Sequence, residues 1–415
     1  LNEKVAYPGR RGGFTLVEMV LAMTVLALIV LVVSQMLNKA QSVIILSRKQ
    51  LDVDDQARLA FARMANDFGK IVKRYDCDTI FAKQAYNDKI FFYSQSVGDT
   101  SNGTFANGST ENPVSLIGYT VATDPNTTTN PPYDLQRLGR GLNWLASSSA
   151  SATDNMVFLT ANPTSTTYFD PASTLDGHWN TQSLIYCGTG SVNSIGTAPT
   201  YAPTAPLDPD YHVLGDQIFR FEYCFLLKDG TYSDYPAEAN ANNVPSGAVP
   251  LILVSKPPSV NDDGSNTASD GTVAIGTRWV DQNAGRAYIC TSAITKSATW
   301  QALGVRDVAA VVVAIALLDR NSRNLIFSLG GSVSGLPNIF PDSGLTPTGT
   351  GTGIANIPAS GVTLMLQNWN SLIAGSSFVG TVASKTGIPA GAATGVASHI
   401  SVYQRYFYLN SASSL

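Results

Sequence analysis

The sequence predicts an α+β protein: one long N-terminal helix packed on a mainly antiparallel β-sheet head with long loops. Three observations predict it. Residues 14–68 hold neither proline nor glycine, so nothing there breaks a helix. Beyond residue 76, short runs rich in β-branched and aromatic residues recur. Between these runs lie Ser-, Thr-, Asn-, Gly- and Pro-rich stretches over 96–113, 122–134, 188–209 and 341–360, the composition of exposed loops.

The 415 residues are 44% hydrophobic, enough to build a core, but only 13% are charged. Such a chain meets water through neutral polar groups, as many extracytoplasmic proteins do. Its net charge of −4 offers no basic stripe, so nucleic acid is not an expected partner.

Residues 1–13 (LNEKVAYPGRRGG) are polar and net positive. The apolar stretch that follows runs from Phe14 to Val33 and contains a single charge, Glu18. Its length corresponds to roughly 30 Å of helix, the thickness of a bilayer's hydrocarbon core. Lys4, Arg10 and Arg11 keep the leader on the cytoplasmic side, which sends the C-terminal bulk across. A secretory signal is cleaved after its apolar core; here Gly12-Gly13 stands before it. A carboxylate inside an apolar span costs about 2.5–3.5 kcal/mol, so Glu18 needs a partner or must snorkel to the interface.

The run G-F-T-L-V-E from Gly13 to Glu18, followed by a charge-poor apolar helix, resembles the signature of type IV pilins and type II secretion pseudopilins. The resemblance implies that a prepilin peptidase cuts after Gly13 and methylates the new amine of Phe14. It further implies that Glu18 neutralises the terminal amine of a neighbouring subunit as helices bundle into a filament. The protein would be a structural subunit, not an enzyme. Its partners would be other pilin or pseudopilin subunits, the peptidase and the bacterial inner membrane, with the C-terminal domain in the periplasm. Gln56 to Phe68 also resembles the post-membrane helix of J-type minor pseudopilins and W-type minor pilins, which carry large heads. Gln35 stands where major pilins often have proline, so the resemblance points to a minor subunit, near the tip, initiating assembly or touching cargo. The alternative is a filament-displayed adhesin or carbohydrate-binding protein.

After the span, Val53, Ala57, Phe61, Met64, Phe68, Ile71 and Tyr75 recur at helical spacing. One helix is therefore expected from about 14 to about 75, with 14–33 crossing the membrane and the rest lying on the head. Strands are predicted over 89–95, 115–121, 156–161, 217–227, 250–254, 308–318, 325–329 and 402–409. Only Gly361–Ile373 reads as helical in this half. Residues 257–303 look like an inserted β-hairpin module. In it, Trp279, Tyr288 and Trp300 either stack on sugar rings or form the module's own core, and the second reading is favoured.

Four cysteines, Cys77, Cys187, Cys224 and Cys290, show no C-x-x-C pair, so neither a zinc knuckle nor a thioredoxin-like site is suggested. In an oxidising compartment disulfides are open to them, with three pairings if all four join. His178, His212 and His399 are scattered. Asp262, Asp263, Asn266 and Asp270 offer oxygen ligands, but not at EF-hand spacing, and a solvated loop is the default. No nucleophile elbow, P-loop, dinucleotide fingerprint or H-E-x-x-H occurs. No cofactor, metal or catalytic residue is predicted.

Overall fold

The computed structural model describes residues 15–73, 79–83, 86–96, 114–123, 133–141, 211–239, 244–245, 247–263, 265, 272–282, 285–346, 357–358 and 364–409. The chain divides into two compact units, residues 1–54 and 55–415. Helix α1 (Leu16–Gly69) begins in the first and ends in the second. The first unit is simple. Residues 16–41 are mainly apolar and are exposed on every side.

Within the second unit, five strands follow α1: β1 (Ile80–Ala82), β2 (Lys89–Ser94), β3 (Ser115–Thr123), β4 (Tyr133–Gly141) and β5 (Tyr211–Gly215). They form one antiparallel sheet in chain order. Next come β6 (Ile218–Leu227) and β7 (Thr231–Ser233), then β8 (Leu251–Val254), β9 (Arg278–Asp281), β10 (Arg286–Ser292) and β11 (Thr299–Ala302). The last four make a separate sheet in which β9 and β10 form the expected hairpin and β8 joins β9 in parallel. The chain then continues through β12 (Val308–Leu318), α2 (Arg320–Ser328), β13 (Ile357–Pro358), α3 (Met365–Ala374), α4 (Phe378–Thr386), α5 (Ala390–Ala397) and β14 (Ile400–Tyr408). The third sheet has the order β13-β7-β6-β12-β14 and is antiparallel. The result is α+β, with a long apolar helix and mainly antiparallel sheets.

Strand β12 (VAAVVVAIALL) explains the core. It lies between β6 and β14, and nearly all of its side chains are buried, so it reads as a continuous apolar run instead of an alternation. The expected stripe on α1 does its work over residues 57–68. Ala57, Ala60, Phe61, Met64 and Phe68 are buried. Phe68 stacks on Phe92 of β2 at 4.7 Å and meets Phe407 of β14 at 5.2 Å. Each such side chain contributes about 1.5–3 kcal/mol by leaving water.

The helix stops earlier than its sequence period suggests. It ends at Gly69, because the following backbone pairs with β2 instead: Val72 N–H bonds the Tyr93 carbonyl and Ile71 bridges Ser94. Tyr75 lies outside the described residues, as does the strand expected at 156–161. A second correction concerns residues 325–329, expected as a strand. Residues 325–328 belong to helix α2, with Leu329 as its C-cap; Asp319 caps the other end of that helix by accepting the N–H groups of Asn321 and Ser322. Its buried residues, Ser322 and Ile326, are four apart, the helical period. A third is that α4 and α5 are helices too, beside the expected α3. Gly387, at φ 75°, ends α4 in the left-handed conformation that glycine adopts without strain.

One buried carboxylate fastens the end of α1 to the first sheet. Asp67 takes a bidentate bond from Arg137 of β4 (2.6 and 3.1 Å), with Ser96 and Tyr119 also donating at 2.6 and 2.5 Å. Burial opposes its charge, but the Arg137 guanidinium and the two hydroxyls outweigh it and hold the carboxyl below its usual range. A lowered acid lends stability that is present above about pH 4 and lost as pH falls through its folded value. Asp67→Asn is therefore expected to destabilise the head by about 3–5 kcal/mol at neutral pH by leaving Arg137 buried without its counter-charge. In denaturant titrations that deficit should shrink as pH falls below about 4, where the carboxyl is protonated in the unfolded chain, and vanish only once pH passes the lowered folded value.

Candidate functional site

The site begins where α1 begins. Thr15 precedes the first helical residue, Leu16. Its hydroxyl oxygen accepts the Glu18 N–H at 3.3 Å. In return, Glu18 Oε2 accepts the Thr15 N–H at 2.9 Å and the Thr15 hydroxyl at 3.1 Å. This is a reciprocal capping box, T-x-x-E, which closes backbone donors that a helix otherwise leaves open. The carboxylate also sits in the first turn, where the helix dipole favours a negative charge. Among the described residues both bonds fall on Oε2, and Oε1 takes none.

The surroundings are apolar. The span of Leu16–Gln41 has 26 residues, about 39 Å of helix, which exceeds the ~30 Å hydrocarbon core of a bilayer. Leu16 and Val17 are 79% and 73% exposed, so nothing among the described residues shelters the neighbours of Glu18. Thr24 turns its hydroxyl back onto the Leu21 carbonyl at 2.8 Å, which hides that polar group inside the helix. Gly13 and Phe14, the expected processing residues, lie outside the described residues. Thr15 was not among the expected site residues, although T-x-x-E before an apolar run is legible as a cap.

The other sequence candidates are placed elsewhere. Trp279, Tyr288 and Trp300 lie in one cluster with Ile252 and Cys290, and none is more than 3% exposed. The two tryptophans pack edge-to-face at 5.5 Å. They form the module's core and offer no stacking surface for a sugar. Asp262 and Asp263 accept bonds from protein donors: Asp262 from the Ser259 N–H and hydroxyl, Asp263 from Ser265 and from the Lys296 N–H between β10 and β11. Asn266 and Asp270 lie outside the described residues. Cys224 and Cys290 are buried thiols not joined to each other, and Cys77 and Cys187 are outside the described residues. Burial pushes the Cys290 thiol up to about 11 and the Cys224 thiol higher still. His212 is exposed; His399 caps the end of α5 through the Gly395 carbonyl at 2.7 Å; His178 is not described.

Sequence reading missed one ionic cluster. Lys83, just after β1, contacts Asp88, Glu222 (3.1 Å), Asp234 (3.7 Å) and the Tyr223 carbonyl. Arg220 holds the other side of Glu222 at 3.0 Å and reaches Asp342 at 2.6 Å. These charges are sequence-distant, so no local pattern marks them.

Residues 9–34 match the family model described as a prokaryotic N-terminal methylation motif. The match supports placement among type IV pilin-like proteins, and with the exposed apolar helix it supports membrane anchoring. No curated protein and no solved structure matches the chain.

The core role of the aromatic trio has a measurable consequence. Trp279→Ala and Trp300→Ala should each cost about 3–5 kcal/mol of stability in thermal or denaturant unfolding. Unchanged unfolding would instead make these rings surface groups.

Proposed function

We propose that this chain is a minor pilin or pseudopilin, a non-enzymatic subunit of a type IV pilus or type II secretion filament. The observation that carries the reading is Glu18, bonded at Oε2 within the helix cap of an exposed apolar span and offering Oε1. The basic leader, residues 1–13, stays in the cytoplasm and the head crosses to the periplasm. A prepilin peptidase cuts between Gly13 and Phe14 and methylates the new amine. That step creates a positive charge one turn from Glu18 on the same apolar stretch.

Neither charge is comfortable in hydrocarbon. A lone carboxylate there costs about 2.5–3.5 kcal/mol, and a lone amine is no cheaper. Docking a neighbouring helix so that its Phe14 amine meets Glu18 Oε1 removes both penalties together. Thr15 fixes the carboxylate's rotamer in advance, so little freedom is lost on pairing. The apolar faces of residues 16–41 supply the packing, and the amine–carboxylate pair supplies the register.

Three features support a minor, J-type or W-type subunit. The head is large for a major pilin; Gln35 stands in the position of the common helix proline; and residues 56–68 follow the post-membrane pattern of those subunits. A bulky head is accommodated best at or near the filament tip, where fewer neighbours crowd it. There it initiates assembly or meets cargo.

Mass spectrometry of the mature N-terminus from a native host is expected to find N-methylated Phe14. A retained leader, or cleavage beyond the apolar run, refutes the processing step. Glu18→Ala should insert in the membrane normally yet be depleted from purified filaments by about a hundredfold or more, since breaking a buried pair costs about 3–5 kcal/mol. Normal incorporation of that variant would remove the pairing from the assembly mechanism.

A further inference from the structure

Strands β1 and β2 pair antiparallel with Ala82 opposite Lys89, so Lys83 and Asp88 form the next facing pair. The Lys83 amine lies directly against Asp88 Oδ2, closer than to the other two carboxylates it meets. Asp88 is fully buried, and the Lys83 side chain is 14% exposed. The same amine touches Glu222 Oε1 at 3.1 Å and sits 4.4 Å from the centre of the Tyr223 ring. Phe225 meets that ring at 5.5 Å and the Phe81 ring at 5.0 Å, so aromatic groups line this side of the ionic cluster.

The three carboxyl groups around the amine are not equivalent. Glu222 is held as a carboxylate on both oxygens: Oε1 accepts Lys83 and the Ser343 N–H, and Oε2 faces the Arg220 guanidinium at 3.0 Å. Asp234 stands farther off, at 3.7 Å, and takes the hydroxyls of Ser343 and Thr346. Asp88 Oδ2 accepts the Tyr223 N–H at 3.2 Å. That backbone donor is aimed at the oxygen that gains charge if the carboxyl carbon is attacked. A nucleophile, an electrophile, an oxyanion donor and a base thus share one small space.

We propose that Lys83 and Asp88 become joined by an intramolecular amide bond, formed once in the folded chain with Glu222 as the proton carrier.

The step balances without an outside reagent: an ammonium and a carboxylate become one amide and one water. Glu222 takes a proton from the Lys83 nitrogen and hands it to Asp88 Oδ1, which leaves a neutral amine beside a neutral acid. The nitrogen lone pair attacks Cγ, and the Tyr223 N–H bonds the negative charge that forms on Oδ2. Glu222 then carries a second proton from nitrogen to Oδ1. Water leaves with the electron pair of the broken C–O bond, Oδ2 returns to a carbonyl, and the third hydrogen stays on the amide nitrogen. Glu222 ends as it began.

Burial works against the Lys83 charge, but Asp88, Glu222 and Asp234 outweigh it and hold the resting amine as a cation. The neutral pair is therefore rare and the reaction slow, which suffices for a step made once per molecule. Loss of water, unfavourable between free groups, gains from the fixed contact, because oriented groups reach effective molarities of about 10⁵–10⁸ M. Replacing a buried ion pair by an amide also removes the cost of keeping two charges out of water.

Tryptic mapping of the full chain purified in detergent tests this. Trypsin should fail to cut after Lys83, and residues 75–89 should appear as one peptide lighter by one water, with fragment ions placing the loss on the joined pair. Lys83→Arg keeps the charge but lacks the nucleophile, and it should show no link. Glu222→Gln should lower the linked share of newly made chain about tenfold or more, as removing a proton carrier does. Separate wild-type peptides 75–83 and 84–89 at full mass overturn the proposal. So does a water loss that leaves Lys83 cleavable, the mark of an aspartyl residue cyclised on its own backbone. Linking at the wild-type level in Glu222→Gln overturns the proton-carrier role. The wild-type map decides the bond even where a variant fails to fold.

Discussion

Backbone hydrogen bonding governs the N-terminal segment before any side chain does. In hydrocarbon a peptide group has no water to bond, so a single span must satisfy its own amides as a helix. The absence of glycine and proline between residues 14 and 68 makes that possible, and the Thr15–Glu18 box closes the end where donors would otherwise be stranded. The same carboxylate that caps the helix is the single charge between residues 14 and 33. Capping and the proposed assembly contact are therefore not competing uses of Glu18: one oxygen serves the helix and the other takes no bond among the described residues.

Within the second unit, charge has the opposite task. Asp67 is a buried acid with enough donors to stay ionised, and it fixes the end of α1 to β4. The cluster around Lys83 has more acid than base, and it ties the β1–β2 turn to β6. Both clusters replace apolar packing at seams between elements, where bidentate geometry specifies one arrangement and an apolar seam would slide. A chain with so few charged residues has spent several of them inside, which is a reason to regard these positions as structural fasteners.

Much of this was legible in the sequence because it is local. The apolar span, the strand β12 and the hairpin of β9 and β10 each follow from a period or a run in adjacent residues. Misreadings arose where local signals were ambiguous or weak. Leu325 to Leu329 is too short an apolar run to separate strand from helix, and the deciding signal, Asp319 as a cap, lies outside it. Helices α4 and α5 are built largely from Gly, Ala, Ser and Thr, which give little amphipathic contrast, and their burial of Val382 and Val396 depends on tertiary packing. Strand β4 holds two arginines and two glycines and reads as loop; its place in the sheet depends on Asp67, some seventy residues earlier.

The same distinction explains why a recognisable family pattern covers residues 9–34 and no more. The proposed peptidase step would read a few consecutive residues, and a bilayer reads an apolar length, so both demands are written in order along the chain. To fold, the head buries the 57–68 face of α1 and closes its own sheets, as Phe68 does against Phe92 and Phe407. Many sequences meet that requirement through different pairs, as Asp67 with Arg137 and Lys83 with Glu222 do here. An N-terminus under local constraint and a head under distributed constraint suit the proposed role, a subunit that enters a common filament while presenting a surface of its own.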